Sequence, residues 1–127
     1  MGYRSNLLVL IYPDIKNPSE EQPLYDQLKV LMATTFKDVS DYWKDPYIKW
    51  RDEDHVLMFD IPDVKWYPSY PEVQQFEAMF SAFRDDLEGY CTEFVRIGEE
   101  SDDTDEIHSG ENNQYYLSVR RSIDCNL

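Results

Sequence analysis

Apolar residues first collect in one unbroken run, positions 7–12, closed by Pro13-Asp14. A run this short with no polar alternation predicts a strand covered on both faces, near the middle of a sheet. A polar stretch follows. Leu24, Leu28, Leu31 and Thr35, flanked by Tyr25, Met32 and Phe36, then repeat at helical spacing and predict a first helix. Ser19 and Gln22 have capping-box spacing and Pro23 is tolerated only in a first turn, so the helix starts between Ser19 and Pro23.

Positions 38–46 read as a turn region, and 47–50 as a short strand that stops at the charged turn Asp52-Glu53-Asp54. Residues 55–61 alternate, with His55, Leu57, Phe59 and Ile61 on one face and Val56, Met58 and Asp60 on the other. Pro62-Asp63 breaks that pattern and leaves 64–67 as an irregular edge segment. Ser69, Pro71 and Glu72 mark a second helix start. Val73, Phe76, Phe80, Phe83 and Leu87 carry its apolar stripe until Gly89 ends it. Residues 91–97 predict a strand and 99–113 a polar loop. The last predicted strand, 114–123, has Tyr115, Leu117 and Val119 on one face and Tyr116, Ser118 and Arg120 on the other.

Strand, helix, two strands, helix, two strands is an α+β order. It fits an antiparallel or mixed sheet with two helices on one face, a ferredoxin-like split β-α-β unit with an extra C-terminal strand. With 127 residues, the whole chain 1–127 is expected to form one domain that includes the acidic loop 99–113.

Composition changes this picture through charge. The chain carries 26 Asp and Glu against 12 Lys and Arg, a formal charge of −14. Hydrophobic residues still make up 42%, so a packed core is expected rather than a disordered chain. The charge argues against direct nucleic-acid binding through phosphates, and against adhesion to an anionic membrane. No apolar run approaches the roughly 18 residues that span a bilayer, and the N-terminal run is too short for a signal peptide. A cytoplasmic protein is expected.

The excess is not evenly spread. Glu99, Glu100, Asp102, Asp103, Asp105 and Glu106 lie close together, and positions 99–111 hold seven acids with no Lys or Arg, half of the net charge. Three readings compete: a solvated loop kept open by self-repulsion, a divalent-cation loop, and a recognition surface for a basic partner. EF-hand spacing fails, since a loop beginning at Asp103 would need Asp or Asn where Ile107 stands and Gly where His108 stands. On the third reading the partner is a protein that ordinarily grips nucleic acid, and the mimicry of DNA is local to this segment.

His55 and His108 have no Cys or His at zinc-ligand spacing, no nucleophile-elbow motif is present, and the four glycines form no phosphate loop. The sequence therefore assigns no metal, no cofactor and no catalytic residue. Cys91 and Cys125 would face one another if 91–97 and 114–123 formed a hairpin centred near residue 108. A cross-strand disulfide and a pair of reduced thiols both remain open, and a reducing compartment favours the thiols. Tyr42, Trp43, Tyr47 and Trp50, and then Trp66, Tyr67 and Tyr70, sit in loop or edge positions among acids. They either close the core over loops or anchor a partner. On the second view Tyr42, Trp43, Asp52, Glu53 and Asp54 join the acidic loop as the partner-binding set.

Four landmarks together carry a resemblance: the opening Met1-Gly2-Tyr3-Arg4-Ser5, Asp63-Val64-Lys65-Trp66-Tyr67, Phe94-Val95-Arg96-Ile97-Gly98-Glu99, and Arg120-Arg121-Ser122-Ile123. The chain resembles a group of small, functionally unassigned bacteriophage and prophage proteins that share them. The resemblance implies a viral accessory protein that acts on a host protein inside the bacterial cell, and it transfers no site residues. In a split β-α-β sheet the end of the 91–97 strand meets the start of the first strand. Tyr3, Arg4, Arg96 and Glu99 are thereby expected to share a corner, with Arg4 paired to Glu99 across the turn that Gly98 permits. That corner is either a structural clamp or the ligand site of a small enzyme or binding protein. A self-assembling structural protein is the third class, and the sequence leaves the oligomeric state open.

Overall fold

The apolar run forms β1 (Ser5–Pro13), and it occupies the centre of a five-stranded sheet. The computed structural model describes residues 2–100, 102–119 and 123–127. α1 (Glu21–Ala33) and a short α2 (Lys37–Tyr42) lead to β2 (Ile48–Arg51) and β3 (Val56–Val64). α3 (Pro71–Ser81) leads to β4 (Tyr90–Ile97) and β5 (Thr104–Ser109). The strand order is β2-β3-β1-β4-β5, and every neighbouring pair is antiparallel. β3 thus lies between β1 and β2, the two strands joined through the α1–α2 crossover. This is an α+β fold.

Alternation along each strand divides the core in two. Leu7, Val9, Ile11, Leu57, Phe59, Ile61 and Phe94 face the helices, where Tyr25, Leu28 and Met32 of α1 and Val73, Phe76, Met79 and Phe80 of α3 are buried. Leu10, Tyr12, Val56, Met58, Cys91 and Val95 face the other way, under Leu117. β1 is apolar on both sides because both faces of the sheet are covered.

Several elements differ from their sequence reading. α1 is preceded by a single 3₁₀ turn, Pro18–Glu20, whose capping box is Asn17 with Glu20 rather than Ser19 with Gln22. α3 begins at Pro71 behind Tyr70 without a side-chain cap, so the Ser69 and Glu72 box is not used. The expected turn at 38–46 contains α2, whose one buried residue is Val39. β3 does not stop at Pro62. It runs on to Val64 through an irregularity in its pairing with β1, where Asp63 takes φ +52° and donates its N–H to Asn6 Oδ1 at 2.7 Å. The α3 stripe continues past Ser81 as a π-helical turn, Ala82–Asp86, closed by Leu87 N–H to Ala82 O at 2.8 Å, and this keeps Phe83 buried.

The largest correction concerns the fifth strand. Segment 99–113 is not a loop throughout, because Thr104–Ser109 pairs with β4 as β5. Its register sets Asp105 opposite Arg96 and His108 opposite Glu93, so polar cross-strand pairs, the Arg96–Asp105 ion pair among them, hold a strand with only one apolar residue, Ile107. The segment 114–123, expected to join the sheet, instead yields β6 (Leu117–Val119), which pairs with β7 (Ile123–Cys125) in a separate small sheet. Leu117, Val119 and Ile123 pack on the back of the main sheet. The Arg120-Arg121-Ser122 part of the last landmark lies outside the described residues.

Glu93 explains why that segment stays there. It is 0% exposed in the middle of β4 and accepts hydrogen bonds from Tyr12 Oη at 2.7 Å, Leu117 N–H at 2.9 Å and Tyr116 N–H at 3.2 Å. His108 Nδ1 lies 3.1 Å from its other side. Asp14 likewise accepts the N–H groups of Glu111 and Asn112, each at 3.0 Å. Cys91 is buried and Cys125 exposed, both as free thiols; Cys125 pairs with Leu117, not with Cys91. Burial first, and the Asp14 carboxylate second, push the Cys91 thiol up to about 12, which makes it a poor nucleophile.

Replacing Glu93 by Ala strips acceptors from three buried or half-buried donors, and should destabilise the protein by about 2–5 kcal/mol. Denaturant unfolding measures the loss, and faster hydrogen exchange at Tyr116 and Leu117 should localise it.

Candidate functional site

The expected corner forms, with different wiring. Tyr3 is held by its N–H to Tyr67 Oη at 2.6 Å, and its own hydroxyl donates to Asp103 Oδ2 at 2.6 Å. The same hydroxyl oxygen accepts the N–H of Glu100 at 3.0 Å. Arg96 reaches Asp103 Oδ1 at 2.6 Å through Nη2, Asp105 Oδ2 at 2.8 Å through Nε, and Ser5 Oγ at 3.0 Å through Nη1. Arg4 and Glu99 do meet, but not as an ion pair. The backbone N–H of Arg4 donates to Glu99 Oε1 at 2.8 Å, while its guanidinium turns to Asp63, with Nη1 on the carbonyl oxygen at 2.9 Å.

Gly98 is needed here. A Cβ on it would collide with the Asp103 carboxylate and the Tyr3 hydroxyl. The Arg96 guanidinium, and then the Tyr3 hydroxyl, hold the Asp103 carboxyl below the usual carboxylate range. The Asp103 hydrogen bond in turn raises both the Tyr3 phenol and the Arg96 guanidinium. All these groups are kept in the protonation state that serves the ion pair. Tyr3, Arg96 and Asp103 are bonded to one another, and together they hold the β4–β5 turn.

Beside it opens a cleft of about 550 Å³ between α3 and the β4–β5 edge. Trp66, Phe80, Phe94 and Ile107 line it with apolar surface, and Glu77, Asp105, Arg84 and Arg96 supply charge. Arg84 is already paired with Asp85 at 2.8 Å, and Arg96 is turned to its two aspartates. Sequence reading missed this cleft. Phe80 was legible as part of a helical stripe, but nothing along the chain places α3 beside β5.

The partner-binding set is divided by the fold. Asp103 and Asp105 are spent on Arg96, and Glu106 lies 2.8 Å from His108 Nε2. Glu99, Glu100 and Asp102 are exposed on the turn. In the second segment, Trp43 is not a surface anchor: it is 4% exposed and packs on Trp66 and Phe76. Tyr42 is 53% exposed, with its hydroxyl on Glu72 Oε2 at 2.7 Å. Asp52 accepts from Tyr25 Oη at 2.6 Å and Lys29 Nζ at 2.9 Å, which lower its carboxyl in that order. Asp54 pairs with Arg51 at 3.0 Å, and Glu53 is exposed. The two segments therefore do not merge into one aromatic-acidic patch. Among the described residues no group of three or more His, Cys, Asp or Glu is placed to hold a metal, and no helix is long and apolar enough to cross a membrane.

Because the Asp103 carboxyl is lowered in the folded state, its contribution to stability is full above the ordinary carboxylate range and is lost as pH falls through the lowered value. Arg96→Gln should move the Asp103 midpoint upward toward the ordinary range, as read by carboxyl-carbon NMR titration, and should speed amide exchange at Glu100 without unfolding the sheet. Set against family models, curated proteins and solved structures, the chain matches none of the three.

Proposed function

We propose that the protein is a non-enzymatic phage accessory protein that binds a basic host protein and inhibits it by occupying a surface meant for an anion. A nucleic-acid-processing or defence protein is the class of partner that fits, with the chain acting as a partial DNA mimic. The observation that supports this reading is how the cations are used. Arg4, Lys29, Lys37, Lys49, Arg51, Arg84 and Arg96 each lie within 3.8 Å of a carboxylate oxygen on a neighbouring residue or strand. These seven cations are paired in place, and exposed carboxylates such as Glu53, Glu77, Asp86, Glu88, Glu100 and Asp102 carry negative charge at the surface. Such a field attracts basic surfaces and repels phosphates.

An enzyme built on Tyr3, Arg4, Arg96 and Glu99 has less support, since Arg96 is taken up by Asp103 and Asp105 and Glu99 lies exposed on the turn, accepting the Arg4 N–H.

Glu100, Asp102 and Glu106 are the acids to reverse, because they lie outside the Arg96 ion pairs. Captured on the wild-type protein from bacterial lysate at low salt, the partner should dissociate as salt rises. Changing all three to Lys should weaken the complex at least about tenfold. A partner indifferent to both salt and charge reversal would overturn the proposal.

A further inference from the structure

β5 is the outer strand of the sheet and pairs on one side only. The backbone register identifies which of its groups are unused. Gly98 N–H donates to Asp103 O at 2.8 Å, and hydrogen-bonded pairs recur every second residue along an antiparallel ladder. Asp105 and Ile107 therefore turn their N–H and C=O groups toward β4. Thr104, Glu106 and His108 turn theirs outward. Thr104 N–H is taken by Asp102 O at 3.2 Å, which leaves the Glu106 and His108 backbone as the open edge among the described residues.

Side chains on the two faces of this edge differ. Asp105 and Ile107 lie on the helix-side face, opposite Arg96 and Phe94, and border the cleft floored by Trp66 and Phe80. Glu106 and His108 lie on the back face, where the exposed Tyr115 ring rests 4.8 Å from the His108 ring. A strand laid along β5 would place alternate side chains over the cleft and over Glu106 with Tyr115.

We propose that the outer edge of β5 receives an extended, basic segment of the partner protein, which extends the sheet by one strand and sends one row of its side chains into the cleft. This rests on the reading of the protein as a binder of basic proteins and states where the contact is made. Charge decides the occupant. Two β5 edges from two copies would set Asp105 and Glu106 against like charges, which opposes self-pairing. A strand of alternating basic and apolar residues sets its basic row beside Glu106 on the back face as complementary charge, and lays its apolar row over the aromatic floor of the cleft. Backbone hydrogen bonds then supply affinity, and the two faces supply selectivity.

The test uses the full-length, isotope-labelled protein and a synthetic peptide of alternating Lys and Val, followed by NMR at low salt. The expected result is saturable shift change and slowed amide exchange at Glu106 and His108. The same peptide with Glu in place of Lys should not bind. N-methylation of alternate peptide nitrogens should weaken binding at least tenfold. Glu106→Pro should do the same, because it removes an N–H that faces away from β4 and leaves that ladder intact. Binding that moves only amides elsewhere, such as Asp86 and Glu88, would overturn the docking edge and leave the basic-partner reading standing. Undiminished binding of the N-methylated peptide would overturn the added strand. Absence of any shift with the Lys peptide would overturn both.

Discussion

A carboxylate with no exposed surface has to be surrounded by donors, and Glu93 organises much of this protein by that requirement. Its donors come from β1, through the Tyr12 hydroxyl, and from the C-terminal segment, through the N–H groups of Tyr116 and Leu117. His108 of β5 stands against it as well. One side chain in β4 thus ties the sheet centre, the sheet edge and the chain's end together. Leu117 seals the site, and the apolar back face is covered as a consequence.

Arg96, three residues further along β4, does related work on the opposite face. It draws Asp103 and Asp105 inward, so part of the most acidic stretch of the chain becomes structural. Self-repulsion would favour an open loop, and it is the single guanidinium, assisted by Tyr3, that turns the stretch into a tight turn and a strand. The charge that remains outside is carried by Glu99, Glu100, Asp102 and Glu106 and by acids spread over the helices. The surface is anionic in a distributed way, and its sharpest structural feature is an edge rather than a projecting loop.

The division between what was legible in the sequence and what was not follows the range of the forces involved. Hydrophobic period identified β1, β3, α1, α3 and β4, because each buries a continuous face and the pattern is local. It failed for β5, where Asp105 and His108 are fixed by Arg96 and Glu93 on another strand, and for α2, where one buried valine is too little signal. Trp43 shows the same limit. Among acids it resembled a surface anchor, and only the packing of Trp66 and Phe76 around it makes it core.

The candidate site divides similarly. Gly98, Arg96 and Tyr3 could be brought to one corner from strand order alone, since the end of β4 must meet the start of β1 in an antiparallel pair. Which acid each arginine takes could not, because Arg4 and Arg96 had many carboxylates within reach and the choice rests on side-chain geometry. The sequence by itself determined the α+β class, the apolar core and the sign of the surface field, all of which depend on residue type and spacing. Tertiary structure decided which acids are neutralised, where the C-terminal segment lies and which edge stays open. Ion pairs and unpaired backbone groups are properties of chain segments brought together across the fold, and no local pattern records them.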